Sequence, residues 1–478
     1  MDPSPAPTTL SLELGVAVAA VPALRRHLGT LLRRARPIAL TWYDGGGHDR
    51  DAGLAARGVA VVAWREARAG GWRAEPLLAV IGAPPAALDA AASLAGLTVL
   101  DLPDGIAPVQ HFTGQLREAM ADGVALRLVT GQIGDAPDAR IARLTLNGPA
   151  GPTAMLAGGL AATFGLYMPL QSLAAEALAL AGIEVPQRAL GPPVLPAGWP
   201  PGDAFAHAAA HLLGVLLHYA PRAAAGQTGE PVHQMRVALR RLRSLTSLFH
   251  DAIACDEVTA LRPALKVLAT ALGPARDWDV FLAETGHAVA SAFPDEPTVA
   301  ALAAAAETSR AEAYAELATL LAGPALHRLA LQIAILIQTR PWPAGTQDCA
   351  AFGAALLARR RHQVAKRSNN PAGLSEPALH ALRLKAKRLR YAAEVFAPLF
   401  AGRPARRFLK RVAALQAALG LLNDGVVAAA LMHELADAGG NGLAGGMVRG
   451  FVAAQASDAR TASTRAWRRL RRAEVFWA

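Results

Sequence analysis

One basic helical pattern occurs twice in this chain, 147 positions apart. Residues 232–243 read VHQMRVALRRLR and residues 379–390 read LHALRLKAKRLR. His233 aligns with His380, Arg236 with Arg383, Arg240 with Lys387, Arg241 with Arg388 and Arg243 with Arg390. The same offset carries Phe249 onto Phe396, Gly273 onto Gly420 and Asp277 onto Asp424. A duplicated block that keeps its cations in register predicts two half-sites facing one polyanion.

The spacing carries the argument. An α-helix turns about 100° per residue, so positions i, i+3, i+7 and i+10 fall within about 80° of one another. His233, Arg236, Arg240 and Arg243 occupy these positions in the first copy, and His380, Arg383, Lys387 and Arg390 in the second. Met235, Val237, Leu239, Leu242 and Leu245, and Leu382, Leu384, Leu389 and Val395, lie on the other faces and can dock on a helical bundle. Like charges along one solvated helix cost only tenths of a kcal/mol. Two such rows held face to face would repel far more strongly unless an anion lay between them.

Composition locates these helices in their own domain. GPPVLPAGWPPGD (191–203) holds five prolines and three glycines, which neither a helix interior nor a central strand tolerates. Before it, LSLELGVAV (10–18), RPIALTWYD (36–44), GVAVVAWRE (58–66) and ARIARLTLNG (139–148) read as strands. A helix is expected within PALRRHLGTLLRRA (22–35). After the linker, Ala, Leu, Arg and Glu dominate and the signal is helical, with a Pro-rich gap at RPWPAG (340–345). The expected architecture is multidomain α+β: a β-rich domain over 1–190, a linker over 191–203, and an all-α domain over 204–478. The all-α part divides into repeats at 204–340 and 346–478, each with room for about four helices in a bundle.

Charge follows the same boundary. Residues 1–199 carry 15 Arg, no Lys and 16 acids, whereas residues 200–478 carry 33 Lys plus Arg against 21 acids. An anionic partner is therefore expected for the second part alone. DNA-reading helices mix Asn, Gln, Ser and Thr with Arg, and aromatic residues for base stacking are only 5% of the chain, so phosphate is favoured over bases. A solvated charged face and nonspecific nucleic-acid binding remain as alternatives.

Other classes are disfavoured. Two cysteines, Cys255 and Cys349, make neither a disulfide framework nor a cysteine metal site. His207, His211 and His218 share a helix face without a carboxylate or cysteine to complete a zinc site, which predicts a core or interface face. No run of eighteen apolar residues exists, and LAGPALHRLALQIAILIQ (321–338) reads as a buried helix. No secretory signal is visible, so a cytoplasmic protein without cofactor or metal is expected.

Residues 204–478 resemble the CHAD domain, the conserved-histidine α-helical domain. The likeness rests on VHQMRVALRRLR, LKVLATALGPARDWDV (265–280), LHALRLKAKRLRYAAEVF (379–396), LQAALGLLND (415–424) and AWRRLRRAEVFW (466–477). The resemblance implies two four-helix bundles about a pseudo-twofold axis, lining a basic channel for inorganic polyphosphate, and an association with polyphosphate granules. Carried over by position, His233, Arg236, Arg240, Arg243, His380, Arg383, Lys387 and Arg390 would form the anion-binding rows, with Arg241 and Arg388 at their edge. Lys266, Lys410 and the RRRHQVAKR run (359–367) would extend the channel. Asp277, Asp279 and Asp424 are expected to orient arginines rather than to bind a metal. Neighbouring phosphate would favour the cationic form of the histidines.

Residues 10–180 resemble a CYTH domain, the triphosphate-tunnel β-barrel, in the order of SLELGVAV, TWYD, GVAVVAWRE…GGWRAEPL, RLTLNG and LQSLAAEALAL. The family's functional positions are largely replaced. Its opening ExExK falls on Ser11, Glu13 and Gly15, its RxR on Val62 and Trp64, and its later lysine is lost in AEPLLA. Its second carboxylate strand falls on Arg143 and Thr145, and its Ser-Lys pair on Ser172 and Leu173. Triphosphate hydrolysis needs carboxylates to hold a divalent metal and cations to neutralise phosphates. The expectation is a non-catalytic domain with a scaffold or dimerisation role, which leaves room for a homo-oligomer. The competing reading is a triphosphatase or polyphosphatase.

Overall fold

The computed structural model describes residues 9–45, 54–56, 58–66, 69–77, 106–136, 138–342, 347–366, 373–400 and 402–477. The chain divides into two compact units, Met1–Leu190 with Gly323–Arg340, and Gly191–Ala322 with Pro341–Ala478.

In the first unit, β1 (Thr9–Gly15), β2 (Arg36–Gly45), β3 (Val59–Glu66), β4 (Ala69–Pro76), β5 (Ile106–Ala121), β6 (Val124–Ile133) and β7 (Arg140–Pro149) form one antiparallel sheet in the order β1-β7-β6-β5-β2-β3-β4. Among the described residues the helices α1 (Val21–Leu28), α2 (Ala150–Phe164) and α3 (Leu173–Leu180) accompany it. The expected helix over 22–35 stops at Leu28, because Gly29 adopts a φ of +45° that breaks the α ladder. Helix α3 lays Ala174, Ala175, Ala177 and Leu178 on a core containing Trp42, Val62, Phe112 and Leu116. The helix Pro324–Thr339, which the sequence divides into the first repeat, packs instead in this unit against α2 and β1. It is buried as expected: Leu326, Leu329, Leu331, Ile333 and Leu336 are all covered.

The interior of this sheet is polar at one place. Glu13 on β1 senses Glu75 and Arg73 on β4, at the far end of the strand order, so the sheet curls until its edges share an interior. Arg143 on β7 lies 3.4 Å from Glu13 and is hydrogen-bonded to Glu176 on α3. Burial pushes the Glu13 carboxyl up to about 7 from 4.5, with Arg143 opposing the shift. A carboxyl raised in this way holds an extra proton in the folded state between its unfolded and folded pKa values. Its stabilisation is complete below about pH 4.5 and is lost as pH rises through about 7. Glu13→Gln should therefore stabilise the protein at pH 8, by at most on the order of 3 kcal/mol, and change little at pH 5. Thermal midpoints of both proteins across that range check this; parallel curves would refute it.

The second unit is helical. Its elements are α4 (Pro201–Ala225), α5 (Glu230–Leu248), the short α6 (His250–Ile253), α7 (Asp256–Phe281), α8 (His287–Ala292) and α9 (Pro297–Ala322). Then, numbering Pro324–Thr339 as α10, come α11 (Cys349–Ala365), α12 (Glu376–Phe396), α13 (Arg403–Glu434) and α14 (Leu443–Arg471). Helices α4, α5, α7 and α9 begin 146 to 148 residues before α11, α12, α13 and α14, so each repeat supplies the same four long helices. Among the described residues no single helix is long and apolar enough to cross a membrane.

Equivalent phenylalanines join the two repeats. Phe249 and Phe396, one sequence offset apart, touch each other with ring centroids 5.4 Å apart. Phe205 and Phe352 are the next equivalent pair. Phe205 sits 6.1 Å from Phe249, and Phe352 sits 6.2 Å from Phe396. A residue that contacts its own counterpart, flanked by two matching contacts, marks a pseudo-twofold relation between the repeats.

Candidate functional site

Helices α5 and α12 present the duplicated basic pattern, and they meet at Tyr391. The hydrophobic spacing fixes which face turns inward: Met235, Leu239, Leu242 and Leu245 on α5, and Leu382, Leu389 and Val395 on α12, are buried. Leu384 departs from the expectation; it is 38% exposed and lines the groove, and its counterpart Val237 is only half-buried.

A cavity of about 350 Å³ lies in this groove. Its walls include Arg240, Arg243, Arg360, Lys387, Arg388 and Tyr391. The Arg240 guanidinium lies 5.4 Å from the Tyr391 ring centre and the Lys387 ammonium 5.8 Å, so the nearly buried ring takes one cation from each repeat. Such contacts contribute about 0.5–2 kcal/mol each. Burial lowers the Lys387 pKa first, and then Arg240, Arg383, Arg243 and Arg236 lower it further. Three of those four arginines belong to the other repeat, so the two rows share one field. Burial raises the Tyr391 pKa, while Arg240 opposes the rise.

The remaining expected positions divide by surroundings. Arg236 is half-buried and reaches Asp277 at 4.0 Å. His233 is half-buried; burial, then Arg276, holds its pKa below the ordinary histidine value. His380 is exposed and Arg383 half-buried on the matching stretch of α12. Arg390 donates to Glu394 at 2.6 Å. Arg241 is half-buried, with its pKa lowered by burial and supported by Glu394, so these two arginines lean on a carboxylate. Lys266 is exposed on α7, seven residues and nearly two full turns before Gly273, the point that Arg236 approaches. Lys410 is exposed on α13 among Arg403, Arg406 and Arg407, and is absent from the groove cavity. Of the 359–367 run, Arg360 lines the cavity, Arg359 pairs with Asp251 at 3.4 Å, and Arg367 lies outside the described residues.

The acids hold arginines in place. Asp279 is buried, accepting from Arg310 Nε at 2.7 Å and from the Tyr314 hydroxyl at 2.8 Å. The Asp424 side chain lies outside the described residues. Among the described residues no group of three His, Cys, Asp or Glu could hold a metal ion. The histidine stripe faces the linker in part: His211 Nε2 bonds the Gly191 carbonyl at 2.8 Å, and His207 packs edge-on to Trp199 at 5.7 Å although it is exposed rather than core. Arg276 and Tyr391 are functional candidates that pattern reading did not select as site residues, whereas Arg360 belongs to the run expected to extend the channel. Arg276 and Tyr391 stand inside quoted motifs, but only packing shows that they face the rows.

In the curled sheet, two of the positions singled out from the CYTH resemblance have local structural roles. A Cβ on Gly15 would meet the Tyr167 ring at 2.3 Å, and the two residues exchange backbone hydrogen bonds of 2.7 and 3.0 Å. A lysine cannot stand there. Ser172 caps α3 by accepting from the Ala175 amide at 3.2 Å, a structural duty. Residues 78 and 79 of the AEPLLA stretch lie outside the described residues.

Comparison with known proteins decides the family. The crystal structure of the CHAD domain from the plant Ricinus communis is 30% identical to this chain, with a TM-score of 0.50, and covers 61% of this chain and 98% of its own. This chain belongs to the CHAD domain family. The family model matches residues 207–433, which include α5, α7 and α12. PptA from Streptomyces chartreusis is 17% identical, with a TM-score of 0.44, over 56% of this chain and 99% of its own. HpAC1 from Hippeastrum, for which a dominant triphosphatase activity is described, is 12% identical, with a TM-score of 0.28, over 37% of this chain and 98% of its own. No protein of curated function matches the sequence. The CHAD domain therefore supplies the two cation rows and the groove between them.

Proposed function

We propose that the CHAD domain of this protein binds inorganic polyphosphate in the groove between α5 and α12. The supporting observation is the convergence of cations from both repeats on Tyr391, with the Lys387 pKa lowered by burial and then by arginines, three of them on the opposite helix. Five basic side chains share the walls of a cavity of about 350 Å³ that contains no carboxylate. Guanidinium forks match phosphate oxygens in pairs, and lysine adds a point charge. Among the walls only Tyr391 is aromatic, and it is already covered by two cations, so bases find no stacking platform. Titration of the full chain with long-chain polyphosphate, with RNA as competitor, tests this. Polyphosphate should displace RNA and RNA should not displace polyphosphate; the reverse order would overturn the reading. Granule association would follow from such binding.

The first unit is proposed to be a non-catalytic relative of triphosphate tunnels. Glu13 and Glu176 are both engaged by Arg143, which stands where the family pattern places a carboxylate. The carboxylates gathered inside thus neutralise a built-in guanidinium in place of a divalent ion. No Mg²⁺- or Mn²⁺-dependent phosphate release from tripolyphosphate is expected, and steady metal-dependent turnover by the purified chain would restore the enzyme reading.

A further inference from the structure

The second repeat carries a basic surface that the first lacks. On α13, Arg403, Arg406, Arg407 and Lys410 are exposed at positions i, i+3, i+4 and i+7. At the end of α14, Arg465, Arg468, Arg469 and Arg472 repeat the same spacing and are also exposed. The two helices pair as an antiparallel hairpin, and Phe408 packs on Phe476 at 5.5 Å and Trp477 at 5.0 Å. The start of α13 and the end of α14 therefore lie at one end of the hairpin, with both stripes on it.

Internal comparison separates these cations from packing needs. Shifted back by 147 residues, the α13 stripe falls on Asp256, Thr259, Ala260 and Pro263, and the α14 stripe on Ala318, Leu321, Ala322 and Ala325. None is basic, although the groove rows keep their charge in both copies. Arg403 and Arg406 also stand in the first turn, with Arg407 just after it, where the helix dipole is already positive and cations are unfavourable. An anion on this surface would relieve that repulsion.

The surface connects to the groove through one helix. Arg360 of α11 lines the groove cavity. The next residue, Arg361, donates to the carbonyls of Arg471 at 3.5 Å and Ala473 at 3.3 Å, at the end of α14. A second cavity of about 450 Å³, with Arg361, His362 and Arg471 in its walls, lies on that side. Helix α11, about 10–12 Å across with its side chains, thus sends neighbouring arginines to the groove and to the end of α14. Neither stripe has a large apolar side chain exposed within it, as a membrane anchor would require.

We infer that the hairpin end formed by α13 and α14 is a second phosphate-polymer site, and that a single long polyphosphate chain crosses α11 to occupy it together with the groove. This rests on the groove reading above. Two linked sites gain affinity through effective concentration, but only for a ligand long enough to reach both. Tripolyphosphate is too short to cross the helix; a long chain is not.

The test compares the full-length protein with Arg406→Glu/Arg407→Glu/Arg468→Glu/Arg469→Glu and with the same four positions changed to Gln, a milder variant that keeps the helices should the first misfold. Long-chain polyphosphate should bind either variant about 10–100-fold more weakly and with a shallower salt dependence, while tripolyphosphate affinity stays within about twofold. Unchanged long-chain affinity in a folded variant would overturn the inference, as would an equal loss for both ligands. A loss confined to single-stranded RNA would also overturn it, by assigning the stripes to nucleic acid. If the unaltered protein binds neither polyphosphate, the groove reading itself fails, which is a separate result.

Discussion

Reversing one arginine in each repeat, Arg236→Glu together with Arg383→Glu, is expected to weaken long-chain polyphosphate binding by at least about a hundredfold. Each charge-assisted contact to phosphate contributes about 1.5–3 kcal/mol, so losing two removes roughly 3–6 kcal/mol before any repulsion from the new carboxylates. Both side chains also act electrostatically on Lys387, and a glutamate in either place would compete with the ligand for that ammonium. Arg236 lies 4.0 Å from Asp277, so a glutamate there meets a like charge. Arg236→Gln with Arg383→Gln supplies the milder comparison and should still lose about tenfold or more. Isothermal titration gives the affinities, and far-ultraviolet circular dichroism confirms intact helices. Binding that survives in a fully helical double variant would remove the rows from the site.

The second large effect concerns stability. Phe249→Ala and Phe396→Ala should each destabilise the helical unit by about 3–5 kcal/mol, the usual loss for a fully buried phenylalanine. Both rings are 0% exposed. Because they touch across the pseudo-axis at 5.4 Å, the double variant should cost less than the two single losses added together. Chemical denaturation of the four proteins measures this coupling. A negligible loss at either position, or strict additivity, would mean that the repeats are not joined through these rings. Groove binding should weaken in parallel, since α5 and α12 end at the same phenylalanines that hold their cations opposite one another.

Much of the helical unit was legible in the chain. The 147-residue offset matched helix to helix, because a repeated hydrophobic period dictates a repeated face and the cations between those positions must lie on the other. Legibility was poorer in the β unit. The long hairpin of β5 and β6 escaped pattern reading, although Asp122-Gly123, with φ of +49° and +76°, is the pair a tight turn of positive φ favours. The helix expected to reach residue 35 ended early because a single glycine outweighed the apolar period around it. Sequence also read one carboxylate, Glu13, as isolated. Strand curling brings Glu75 and Glu176 toward it, and neither closeness has a local signal.

The sequence by itself determined that two matching cationic helices exist, which faces they bury, and that a Pro- and Gly-rich break separates them from a strand-patterned region; these follow from periodicity, which is local. Only the tertiary structure decided that the two rows converge on Tyr391, that Arg360 joins them from a third helix, and that Arg143 fills the tunnel-like interior. It also placed Lys410 on the hairpin end instead of in the groove cavity. Those outcomes depend on contacts between residues far apart in the chain, where the packing of large buried side chains such as Phe249 and Phe396 sets which charged faces meet.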